Sequence, residues 1–253
     1  MQATTIALIV FGCMLAGVAL GRSLQSALPD HHLSKDSKDA VTLAAGLVAT
    51  LAALVLGLLV STAAGSFNSE NDELNQIAAQ TILLDRMMAE YGPETREARE
   101  QLRRSVLARL ALLWPKDGSR PPKASIAADA DFEGMQANLR ALSPRSEAQK
   151  GLQADAVKAA LILAQTRWLL IVQEEEGSIP LPFIVVLTIW LAAIFASFSL
   201  FAPRNLTIAI ALMIGALSVS GAVFLILELG SPYGGMIKLS SMPMRLVLEH
   251  LGK

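Results

Sequence analysis

The residues whose type and spacing could do chemistry lie first in a stretch without charge, between positions 40 and 69. There Ala45, Ala49, Ala53, Gly57, Ser61 and Gly65 place a small side chain at every fourth position. Residues four apart stack on one helical face, so together they form a smooth ridge. Small residues let helix backbones approach closely within lipid. The same ridge could instead line a narrow pathway, with Thr50 and Ser61 as its polar contacts. A second constellation is Glu174, Glu175 and Glu176, immediately before a later apolar run. Consecutive helical residues point about 100° apart, so a regular helix cannot aim all three at one ion. They read as solvated acids at a membrane edge or, in an oligomer, as a ring that recruits ions.

The remaining candidates are weaker. Asp85-Arg86 sits on an amphipathic helical pattern, where both could pair with neighbouring helices; surface pairing, which contributes little, is the default use. His31 and His32 are adjacent in a polar loop, without the i, i+4 geometry of a helical metal pair. Gly230, Gly234 and Gly235 lack the Gly-Lys-Ser/Thr ending of a phosphate loop, and are expected to let the chain turn sharply. Gly17 and Gly21 form a single GxxxG match, and Cys13 lies within an apolar run as a packing residue. No triad order, zinc spacing or phosphate loop is present. No catalytic, cofactor or metal residue is assigned, and the chain is not read as an enzyme.

The elements that must position these residues follow from composition. Of 253 residues, 53% are hydrophobic and 17% charged, against about 25% charged in a soluble domain. The shortage is local. Residues 1–21, 40–69, 177–203 and 205–227 hold no Asp, Glu, Lys or Arg, whereas 70–176 holds 14 bases and 17 acids. A single soluble globule and a disordered chain are both excluded. The net charge of −1 offers no basic surface for nucleic acid.

A membrane helix needs about 20 apolar residues. Spans are expected at about 3–20, 40–64, 181–202 and 206–227. The fold class is therefore all-α, a polytopic membrane protein with four transmembrane helices in a two-plus-two arrangement and a central helical soluble domain. The first pair occupies 1–64, the soluble domain 65–179, the second pair 180–230, and a tail with a short amphipathic helix 231–253. Gly92-Pro93 and Trp114-Pro115 should end helices within the central segment, and 116–123 should be a loop. Arg22, Lys35, Lys38 and Arg204 lie on one side, against Lys158, Arg167, Lys238, Arg245 and Lys253 on the other. The positive-inside rule then places the central domain in the cytoplasm. No ionisable residue falls within the four expected spans, which argues against proton-coupled transport. A passive channel is compatible with uncharged walls, and so is a structural protein.

Several stretches carry a resemblance. They are Leu83-Leu84-Asp85-Arg86, Tyr91-Gly92-Pro93, Gln165-Thr166-Arg167-Trp168 leading into Ile179-Pro180-Leu181-Pro182, Phe201-Ala202-Pro203-Arg204-Asn205, and Leu227-Glu228 followed by Ser231-Pro232-Tyr233-Gly234-Gly235. Together they resemble the bestrophin-like family of bacterial integral membrane proteins, over nearly the whole chain. The resemblance implies a homo-oligomer, a pentamer if it follows bestrophins proper, that conducts small anions and sits in the bilayer of a bacterial inner membrane. In those channels the second span lines the pore with bulky apolar residues at a neck. Here no aromatic residue lies between Ala40 and Gly65, so no pore residue is carried over. Two functions stand as expectations. One is an oligomeric anion channel with the second span on the axis and the central helices forming a vestibule. The other is a non-transporting scaffold or sensor whose central domain binds a protein partner.

Overall fold

The computed structural model describes residues 3–29, 34–115, 122–176, 181–203 and 205–252, with side chains described except at 122–128, 170–176 and 181. Eight α-helices occur among them: α1 Ala3–Ala27, α2 Lys35–Tyr91, α3 Arg96–Leu113, α4 Pro122–Ala141, α5 Glu147–Glu176, α6 Leu181–Phe201, α7 Leu206–Leu229 and α8 Met242–His250. The chain is all-helical as expected. Four of these helices, α1, α2, α6 and α7, are long and apolar enough to cross a membrane. His31, His32 and Arg204, and most of the loop expected at 116–123, lie outside the described residues.

Two compact units divide the chain. One comprises 1–67 with 177–237, the other 68–176 with 238–253. The 57-residue helix α2 carries residues of both. No break separates the second span from the helix expected at Glu70–Glu90, because nothing between Gly65 and Glu70 punctuates a helix: the stretch Ser66-Phe67-Asn68-Ser69 has no proline and no second glycine.

The first unit is built on close helix approach. On α1, Cβ atoms added to Gly17 and Gly21 would run into the backbone carbonyls of Ala192 and Ala196 on α6. Both faces are therefore small-xxx-small, and the GxxxG match is a working contact. The Ser199 hydroxyl crosses the same seam to donate to the Val18 carbonyl at 2.8 Å, and Gln25 reaches the Ala202 carbonyl at 3.2 Å. Several other hydroxyls of these helices are satisfied internally. Thr188, Ser197 and Ser218 each donate to the carbonyl one turn back, as hydrocarbon surroundings demand. Val10, Met14, Leu187, Ile194, Ala216 and Val223 fill the interior. Four residues, 202–205, join α6 and α7, and Asn205 caps α7 by accepting from Ile208 N–H at 3.0 Å.

The second unit has an ordinary apolar core, in which Leu74, Leu84, Met88, Leu102, Met135, Leu139 and Leu163 are almost fully buried. Each such side chain contributes about 1.5–3 kcal/mol by leaving water. Gly92, at φ 133°, takes a backbone conformation open to glycine, and Pro93 begins a single 3-10 turn to Thr95. The last carbonyls of the helices find side-chain donors. Gln149 donates to Tyr91 O at 3.0 Å, and Gln153 bridges Leu139 O and Leu142 O at 2.9 and 3.0 Å. Trp114 donates to Leu239 O at 2.8 Å, and Met244 and Val247 of the amphipathic α8 complete the core.

Candidate functional site

On an ideal helix each step of four residues overshoots a full turn by about 40°, so the small ridge of α2 spirals. Its start lies on the packed face. Ala45 is 6% exposed, and Ala49 is half-buried against the core of the unit. By Ala53 the ridge has left that face, and Ala53, Gly57, Ser61 and Gly65 are all exposed on the single chain. A Cβ added at Gly57 or Gly65 would meet nothing within 4 Å. Beyond Ala45, the intrachain packing of α2 uses Ala52 and Ala63, which lie off the ridge.

A second regularity becomes visible once exposure is known. Gly46, Thr50, Ala53 and Gly57, at alternating spacings of four and three, share one stripe parallel to the helix axis, and all four are exposed. Thr50 donates to Gly46 O at 2.9 Å, leaving its lone pairs outward. Leu43, Leu47, Leu51, Leu54 and Leu58, 44 to 76% exposed, make a broad apolar face beside it. The span thus presents a face that is small and weakly polar and another that is large and oily. Neither is needed to hold the chain itself together.

The acids expected as an ion-recruiting set, Glu174, Glu175 and Glu176, form the last turn of α5, and their side chains lie outside the described residues. Two other acids depart from expectation. Asp85 is not a surface partner: it is 1% exposed and accepts from Arg99 Nε and Nη2 at 2.7 and 2.8 Å. This hydrogen bond to Asp85 raises the Arg99 pKa, with burial opposing it. Arg86, not Asp85, takes the exposed position. Glu228, by contrast, carried no expected role, since the fourth span was expected to stop at Leu227. Helix α7 runs on to Leu229, and Glu228 is 4% exposed. Its Oε2 accepts from the backbone N–H groups of Met236 and Ile237, the latter at 3.1 Å. A Cβ on Gly235 would collide with the same carboxylate. Positive φ among the described glycines occurs at Gly92 and Gly252. The glycine at 235 therefore serves clearance for Glu228 rather than an unusual turn conformation.

A family model described as the bestrophin-like domain matches residues 12–244. The chain belongs to the bestrophin-like family. Its fold is also similar to a solved mutant of a bacterial bestrophin homolog from Klebsiella pneumoniae, with TM-score 0.61 and 13% identity, covering 98% of this chain and 97% of that one. No curated protein matches the chain. With four apolar helices long enough to span and this family assignment, the chain is a bestrophin-like membrane protein. Its motif residues fall into structural roles: Asp85 ion-pairs with Arg99, Gly92 makes the α2–α3 turn, and Glu228 with Gly235 closes the segment after α7.

Proposed function

We propose that this bestrophin-like protein is a homo-oligomeric anion channel, rather than an enzyme, and is a multi-pass protein of a bacterial cell membrane with its central helices in the cytoplasm. The observation that supports this most is the exposed small face of α2, free of charge through residues 40–69 and unused by the chain's own packing. An i, i+4 row is inclined by roughly 26° to its helix axis. Symmetry-related α2 helices tilted by that amount hold Ala53, Gly57, Ser61 and Gly65 along a common axis. An uncharged wall of that kind selects by width and by the hydroxyls of Thr50 and Ser61.

The test is the reversal potential of purified oligomer in a planar bilayer under a chloride gradient. Reversal near the chloride equilibrium value is expected. Gly57→Leu should abolish conduction while the subunit still folds, because a Cβ there meets no atom of its own chain within 4 Å. Normal conduction in that variant removes α2 from the pore wall.

A second reading has one observation of its own. On α5, Leu161, Ile162, Trp168 and Leu169 are 40 to 62% exposed, an apolar stripe fit for a protein partner of a non-conducting scaffold. Crosslinking in native membranes distinguishes them: self-contacts alone along α5 count against that partner.

A further inference from the structure

Five helices of the second unit meet around a cavity of about 30 Å³. Its walls are leucines and other apolar side chains, broken by Thr81, Ser105, Arg109 and Arg167. The two hydroxyls are already committed as donors, Thr81 to Ile77 O at 2.7 Å and Ser105 to Leu102 O at 2.8 Å. The two guanidiniums keep donors to spare. Arg167, with 12% of its side chain exposed, stacks over Phe132 at 4.2 Å from the ring centroid and gives Nη2 to Asp129 at 2.9 Å. Its other donors make no hydrogen bond among the described residues. Arg109 has neither an ion pair nor a hydrogen bond among the described residues, and it faces Arg167 as a like charge.

A charge drawn out of water is costly unless its donors are answered, and two cations lining one small cavity compound that cost. Burial first, then Arg109, lower the Arg167 pKa to about 10, while Asp129 and Glu133 pull the other way. Asp129 is 42% exposed in its side chain and sits at the rim, so it answers one cation from outside.

We propose that this cavity binds a small inorganic anion, a halide or nitrate, held between Arg109 and Arg167. The chemistry selects the sign: the uncommitted donors are cationic N–H groups, which form the shortest and strongest contacts with anions. The size selects the class. A water needs roughly 10–15 Å³ of such space, so about 30 Å³ has room for one monatomic or small planar anion. All the lining residues belong to the unit of 68–176 with 238–253. The site is thus separate from the α2 face at 45–65, and the inference stands whether or not that face conducts.

The experiment is thermal unfolding of the full chain in detergent, with sodium bromide replacing sodium gluconate at constant ionic strength. A ligand that binds only the folded state stabilises it in a saturable way. The wild type should gain roughly 2–4 °C at saturating bromide relative to Arg109→Gln. In gluconate the variant should be at least as stable as the wild type, since the substitution relieves the repulsion on Arg167. No saturable rise, or an equal rise in Arg109→Gln, overturns the proposal. Crystals grown in bromide supply an independent reading. An anomalous peak between the two guanidiniums supports the site, and a water in its place refutes it.

Discussion

Asp85 on α2 and Arg99 on α3 meet through two parallel hydrogen bonds, yet they differ in access to water. The Asp85 side chain is 2% exposed and that of Arg99 21%. Losing one partner of a buried pair leaves the other charge behind, at a cost of about 3–5 kcal/mol. The two losses are therefore unequal. Arg99→Met strands a carboxylate whose other contact is Gly252 N–H at 3.4 Å, and should approach that full cost. Asp85→Asn leaves a guanidinium that can turn toward water, and should cost nearer 1.5–3 kcal/mol, about the worth of hydrogen bonds to a charged group. Denaturant unfolding in detergent checks the order, and Asp85→Asn as the worse variant would refute it. The pH sign follows from the raised Arg99 pKa. Its contribution is present below the ordinary guanidinium value and is lost only as pH climbs through the higher folded one, so between pH 6 and 9 the arginine adds no pH dependence.

The sequence disclosed the spans more readily than their uses. Charge-free runs mark helices in lipid because the bilayer leaves no other option for the backbone, and Gly92-Pro93 marked the end of α2 through its backbone requirements. Asp85 was harder to read, since its partner lies fourteen residues away beyond that turn. A signal did exist: Asp85 follows Thr81 by one helical turn and precedes Met88 by three residues, on the stripe with Leu74, Ile77 and Leu84 that forms the core. The small residues of α2 and of α1 looked alike as strings. Only coordinates separate Gly17, pressed on Ala192, from Gly57, with open space above it. The role of Glu228, part of a family-like stretch, is not announced by any side-chain pattern, because its two donors are backbone groups.

That contrast between glycines is directly testable. Gly17→Val and Gly21→Val put side chains into the α6 backbone, which cannot yield as a flexible side chain would. Each should cost about 3 kcal/mol or more, at or beyond the usual range for overpacking, and should lower the yield of folded protein. Gly57→Leu should leave the thermal midpoint of the dissociated subunit nearly unchanged. Equal damage from all three would mean that α2 is packed within the chain as tightly as α1.

Trp114 ties the end of α3 to the segment before α8 through its indole N–H to Leu239 O. Phenylalanine at 114 keeps most of the ring and loses the donor, leaving a carbonyl unpaired. A cost of about 1 kcal/mol is expected. It should appear first as faster proteolysis between 238 and 252, ahead of any change in the core at Leu102 or Met135. Unchanged cleavage would show that Met244 and Val247 hold α8 without that bond.

Glu228 and Gly235 should behave as a single device. The carboxylate sits where a side chain at 235 would have to go, and its Oε2 answers two backbone N–H groups that would otherwise be orphaned beside a membrane helix. Glu228→Gln keeps the shape but removes the charge from both bonds, at an expected cost of about 1.5–3 kcal/mol. Gly235→Ala leaves the acid intact yet displaces it from the same N–H groups, so a similar loss is expected from a methyl group alone. Substitutions that break one shared contact are not additive. The double variant should therefore be little worse than the more damaging single one. Hydrogen exchange at the Met236 and Ile237 amides gives the site-specific reading: both should lose protection in either variant, with no further loss in the pair. Full additivity would mean that Gly235 is required for some other reason, and that the carboxylate holds the segment unaided.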